Sequence, residues 1–116
     1  MTESFEYGDI ITVNFNPVKG AEISKIRPCV VVSHNLLNIH SSLLIAVPLT
    51  SNTKKVLPFH IIITKSKSNG LAENSKAIPE QIKSLDTVRC VKKIGTLEKH
   101  YLEILEEKIR FVLNQE

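Results

Sequence analysis

The stretch Gly20-Ala21-Glu22-Ile23-Ser24-Lys25-Ile26-Arg27-Pro28-Cys29-Val30-Val31-Val32 passes from a polar segment without a clean period into an almost wholly apolar run. Such a run, β-branched and only a few residues long, has the pattern of a strand buried on both faces, and Pro28 biases Arg27 toward extended backbone. The arginine is thereby delivered to the mouth of a buried strand, where a guanidinium calls for an anion. About twenty residues on, Leu43-Leu44-Ile45-Ala46-Val47 ends in Pro48-Leu49-Thr50-Ser51, which puts two hydroxyls at the end of another strand. If the two strands are neighbours, arginine and hydroxyls share one phosphate.

Working outward, Glu6-Tyr7-Gly8-Asp9 reads as a turn into a strand over Ile10 to Phe15, closed by Asn16-Pro17. Val18 to Ile26 is expected as a loop, and Ser33 to Asn38 as a turn or short helix. A polar loop over Thr50 to Lys55 precedes a strand over Pro58 to Ile63. Lys65 to Ser75 is expected as a loop or hairpin tip, in which Asn69-Gly70 is a turn signal and nothing more. Ile78 to Leu85 and Val88 to Ile94 are expected to supply the last strands. Leu97, Tyr101, Ile104, Leu105, Lys108, Ile109, Val112 and Leu113 then fall at helical spacing. Gly95-Thr96 is the expected stop and N-cap, with Glu98 in the first turn and Glu106/Arg110 as an (i, i+4) pair. The pattern is that of a mainly β, α+β single domain over 1–116, a small curved antiparallel sheet or open barrel closed by a C-terminal helix.

Composition fits this reading: 116 residues, 42% hydrophobic and 23% charged, describe an ordinary globular chain with room for one core. No apolar run approaches a membrane span, and the acidic start Met1 to Glu6 lacks the features of a secretory leader, so a cytoplasmic location without membrane association is expected. Cys29 and Cys90, far apart and each in an apolar stretch, are expected as small buried thiols rather than a disulfide or metal pair. The net charge is +3, but residues 53–99 hold ten Lys/Arg against four acids. A basic middle favours a polyanion such as nucleic acid, although solvated lysines produce the same pattern.

Five motifs stand in order along the chain: Gly8-Asp9-Ile10; Asn16-Pro17 followed by Gly20-x-Glu22; Arg27-Pro28 before the valine run; Pro48-x-Thr50; and Glu80-Gln81-Ile82-x-Ser84-x-Asp86. In this the chain resembles the MazF/PemK (Kid) toxins from Gly8 to about Asp86, and the final helix fits as well. The resemblance implies an SH3-like, CcdB-like barrel that forms a homodimer. It further implies an endoribonuclease toxin, without metal or other cofactor, that cuts single-stranded RNA at short sequences and is neutralised by a cognate antitoxin. By the match Arg27 and Thr50 take the positions of the catalytic arginine and hydroxyl residue, and Glu22 that of a loop glutamate near the site. Ser51, Asn38, Lys19, Gln81 and Lys83 are the candidate RNA contacts, Lys83 standing where several relatives carry arginine. A non-catalytic CcdB-like barrel that grips a protein such as gyrase is the alternative.

Metal-free RNA cleavage uses the adjoining 2′-hydroxyl as nucleophile. The protein must deprotonate it, stabilise charge on a five-coordinate phosphorus and help the 5′-oxygen leave. Arginine suits the second task, because it stays charged and offers paired donors to two phosphate oxygens. Thr50, with Ser51, can donate a further hydrogen bond and orient the scissile group. Both hydroxyls are equally suited to capping a turn. For proton transfer Glu22 is one candidate, although it is equally suited to pairing with Lys19 or Lys25, and His34, His40, His60 and His100 are others. A metal-dependent site would have to draw on Asp9, Glu22, Glu80 and Asp86, which nothing in the sequence clusters.

Overall fold

A computed structural model of the chain describes residues 4–15 and 26–115. Seven strands and two helices follow in order: β1 (Asp9–Asn14), β2 (Ile26–Val31), α1 (Asn35–His40), β3 (Leu43–Thr50), β4 (Ile61–Ile63), β5 (Ser75–Ala77), β6 (Lys83–Asp86), β7 (Cys90–Thr96) and α2 (Lys99–Val112). Short 3-10 turns cover Pro79–Gln81 and Thr87–Arg89. All strand pairs are antiparallel, in the order β4-β5-β3-β2-β1-β7, and β6 pairs with the first half of β3. The fold is mainly β with a C-terminal helix, as the patterning implies.

Alternation along the strands sorts side chains onto two faces. Ile10, Val30, Val47, Leu49, Ile63 and Ala77 point to a core that Leu97 and Leu105 complete, with Tyr101, Leu102 and Ile109 of α2 packed against it. Ile11, Val13, Cys29, Val31, Leu44, Ala46 and Leu85 build a second cluster on the opposite face, joined by Phe5, Phe15 and Cys90. Both cysteines are free thiols, Cys29 buried and Cys90 half-buried.

Several expectations are corrected. β3 does not stop at Val47 but runs through Pro48 to Thr50; Pro48 pairs with Cys29, and its carbonyl accepts the Ile78 N–H at 3.0 Å. β4 is shorter than expected because Pro58-Phe59 forms a turn, closed by His60 N–H donating to the Leu57 carbonyl. The N-cap of α2 is Glu98 rather than Thr96, because Thr96 is still paired to Asp9 in β7. On that helix Ile104 and Leu113 are exposed, while Leu102 takes a place against the core. Glu106 accepts the Tyr7 hydroxyl, a contact that ties α2 to the turn before β1.

Asn69-Gly70 is more than a turn signal. Asn69 is fully buried; its Oδ1 accepts the N–H groups of Ser66 and Leu71, and its Nδ2 donates to the Thr64 carbonyl and Glu98 Oε1. Gly70 has φ +69°, and a Cβ there would lie 1.9 Å from the Ile94 carbonyl oxygen. A Cβ on Gly95 would lie 2.3 Å from the Asn69 carbonyl carbon. The loop after β4 is thus docked backbone-to-backbone on β7, which fixes where its far end, Leu71 to Ser75, emerges.

Candidate active site

β2 and β3 are neighbours, with Cys29 opposite Pro48 and Val30 opposite Val47. Continued toward the start of β2, that antiparallel register brings Arg27 across from Thr50. There a cleft of about 300 Å³ opens, lined by Ile26, Arg27, Pro28, Leu49, Thr50 and Ser51 and, from the loop after β4 and the start of β5, by Leu71, Ala72, Glu73 and Ser75. The arginine and the hydroxyls therefore meet. Among the described residues the Arg27 guanidinium has no hydrogen-bond or ion-pair partner, and its residue is exposed. An exposed fork of donors lining an open cleft is a ready anion site.

Thr50 serves both of the uses its sequence position allows. Its Oγ1 accepts the Asn52 N–H at 3.2 Å, which caps the turn after β3. Because the hydroxyl is the acceptor in that bond, its own proton stays available to donate into the cleft. Ser51 is exposed beside it.

Lys83 is exposed at the start of β6, opposite Ala46, with its ammonium 4.9 Å from the centre of the Phe15 ring. It belongs to the same sheet face as Arg27, since its partner Ala46 packs in one cluster with Cys29, which lies two residues beyond Arg27 on β2. Gln81 is exposed at the end of the 3-10 turn Pro79–Gln81 and does not line the cleft. Asn38 is not brought to the cleft either. It is buried in α1, where it accepts the Ser33 hydroxyl and donates to the Ser33 carbonyl at 3.1 Å and to Asn35 Oδ1 at 3.2 Å. Glu22 and Lys19 lie outside the described residues.

The histidines divide by environment. His34 caps α1, its Nδ1 accepting the Leu36 N–H, while His40 ends that helix. His100 lies against the Tyr101 ring on α2. His60 is buried, which its strand-like sequence setting did not foretell: Nδ1 accepts the Leu57 N–H and Nε2 sits 2.9 Å from a Glu80 oxygen. With Nδ1 an acceptor, the ring proton is on Nε2 and donates to Glu80. That bond ties the loop after Thr50 to the Pro79–Gln81 turn.

The acids have separate occupations. Asp9 is buried, accepting the Glu6 N–H and lying 3.2 Å from Lys93 Nζ. Asp86 caps the Thr87–Arg89 turn by accepting the Val88 N–H. Burial raises the Glu98 carboxyl, but bonds from Ser66, its own backbone N–H and Asn69, with the His100 charge, outweigh it and hold the group below the ordinary glutamate value. Among the described residues Glu73 is the one acid that lines the cleft. Reading the sequence alone missed it, because only the docking of the loop on β7 carries it there.

Residues 6–113 match the model of the PemK-like, MazF-like toxins of type II toxin-antitoxin systems. The chain is 34% identical over 112 residues to Endoribonuclease MazF9 of Mycobacterium tuberculosis, a match that covers 92% of this chain and 94% of that one. The crystal structure of MazF from Deinococcus radiodurans superposes with a TM-score of 0.81 at 23% identity, over 98% of this chain and all of that one. A mycobacterial endoribonuclease crystallised with its cognate antitoxin superposes at 0.78, with 18% identity over 96% of each chain. With the family model spanning nearly the whole length and the relative matching end to end, the chain belongs to the PemK-like, MazF-like toxin family of type II toxin-antitoxin systems.

Proposed function

We propose that this chain, an endoribonuclease toxin by its family, cuts single-stranded RNA by metal-independent attack of the 2′-hydroxyl on the adjoining phosphate. The observation that carries the reading is the convergence of Arg27, without a partner among the described residues, with Thr50 and Ser51 in one open cleft. Arg27 holds two nonbridging oxygens and offsets the charge that builds on phosphorus, and Thr50 donates its free proton to the same group. Ser51 extends the contact along the backbone, and Lys83 and Gln81, exposed on β6 and before it, bind flanking phosphates or bases. Lys19 is a further RNA contact in this reading. Asn38 acts as a structural residue instead, since its amide is engaged within α1.

Glu22 is the proposed general base, as the loop glutamate beside Arg27 in the sequence. The protein acts as a homodimer and is neutralised by a cognate antitoxin; a mycobacterial endoribonuclease in complex with its own antitoxin supports the second part of the reading. No feature of the cleft favours the alternative of a purely protein-gripping barrel.

The test is incubation of the protein with mixed-sequence RNA in EDTA. Fragments ending in 2′,3′-cyclic phosphate are expected, and Arg27→Ala should slow their appearance by roughly 100-fold or more, the usual cost of removing one preorganised donor at a developing charge. RNA left intact, or an Arg27→Ala protein as fast as the parent, refutes the mechanism. Light scattering of the same preparation reports whether the homodimer forms.

A further inference from the structure

The lining of the cleft contains a group that phosphate binding does not explain. Glu73 lines the same cleft as Arg27, and among the described residues its carboxylate has no hydrogen-bond or ion-pair partner. A free carboxylate facing a polyanion weakens binding by repulsion, so it is out of place unless it meets something other than phosphate. It is also held firmly. The Ser75 hydroxyl, nearly fully buried, donates to the Glu73 carbonyl at 3.0 Å, and Asn74 Oδ1 accepts the Lys65 N–H at 2.9 Å. On the other side Leu71 is buried, with its N–H bonded to the docked Asn69.

The surroundings suit a flat base. Ile26, Pro28, Leu71 and Ala72 add apolar lining to the cleft that Arg27 and Glu73 share. A nucleotide whose phosphate sits on Arg27 and Thr50 can lay its base along that lining and turn its edge to Glu73. A carboxylate only accepts, through two oxygens. Guanine alone presents two adjacent donors on its Watson–Crick edge, N1–H and the N2 amine. Cytosine and adenine each set an acceptor nitrogen beside their amine, and uracil flanks its single N–H with two carbonyls.

We infer that Glu73 is a specificity-determining residue that reads the Watson–Crick edge of a guanine adjoining the scissile phosphate. The inference rests on the ribonuclease reading of the cleft and adds to it which base the site prefers and which side chain selects it.

The experiment is fragment-end sequencing of mixed-sequence RNA cut in EDTA by the wild-type protein, Glu73→Ala and Glu73→Gln. Wild-type ends should be enriched in guanine at one nucleotide flanking the cut. In Glu73→Ala that enrichment should fall roughly tenfold, the loss expected for one bidentate base contact. Glu73→Gln, which offers one donor and one acceptor, should move the preference toward adenine or cytosine. Wild-type ends without guanine enrichment, or an enrichment that Glu73→Ala leaves unchanged, overturn the inference while the nuclease reading stands. RNA left whole by the wild-type protein overturns both. Glu73 is exposed, and a thermal melt of each variant checks that a changed preference is not a folding defect.

Discussion

Cys29 lies two residues beyond Arg27 on the same face of β2, fully buried, and that burial pushes its thiol up to about 12. The Lys83 charge pulls it down, the Cys90 thiol adds to the rise, and Arg27 again lowers it, without reversing the effect of burial. Reactivity follows the thiolate, so native protein treated with iodoacetamide at neutral pH should keep Cys29 unmodified, while urea-unfolded protein should be alkylated fully. Mass spectrometry of the two samples checks this, and native modification at Cys29 would contradict the packing. The sign of the pH dependence also follows. A group whose proton is held more tightly in the folded state contributes its full stability below the ordinary thiol range and loses it as pH rises from about 9 toward 12.

At the level of elements, the loop between β4 and β5 does more for the site than its polar composition foretells. Asn69 and Glu98 hold its base, the Tyr101 hydroxyl accepts the Thr64 N–H at 3.0 Å, and Gly70 rests against β7 with no room for a side chain. A methyl group at position 70 must move backbone, in a left-handed conformation, so Gly70→Ala should cost about 3 kcal/mol. It should also slow RNA cleavage, since Leu71, Ala72, Glu73 and Ser75 line the cleft. Urea denaturation and a cleavage assay on the folded fraction separate the two effects. A Gly70→Ala protein as stable as the parent would mean that the loop is not docked on Ile94. At the other end of the molecule Asn114, at φ 62°, lets the chain leave α2 in a left-handed cap.

For the whole molecule, the strand order places two apolar clusters on opposite faces of one sheet, only one of which α2 covers. Ile63 belongs to the helix-covered cluster and Ile11 to the other, both fully buried. Ile63→Val and Ile11→Val should each cost about 1 kcal/mol, and the double variant should lose their sum to within about 0.5 kcal/mol, because the two sites share no neighbours. Chemical denaturation measures all three, and a clear departure from additivity would show that the clusters are one core. What the sequence by itself determined is what short-range periodicity encodes. The β-branched alternation of Ile10 to Asn14, the valine run after Arg27 and the helical stripe from Tyr101 to Ile109 each specify an element through its own neighbours, and the register of two such strands makes Arg27 and Thr50 meet. Periodicity could not locate the N-cap of α2, because Thr96 is kept in β7 by a partner nearly ninety residues away in sequence, Asp9. Nor could it pair His60 with Glu80 or withdraw Asn38 into α1, since a side-chain hydrogen bond leaves no repeat in the chain. Only the tertiary structure decided that Glu73 lines one cleft with Arg27, because that depends on Gly70 and Gly95 letting two backbones touch.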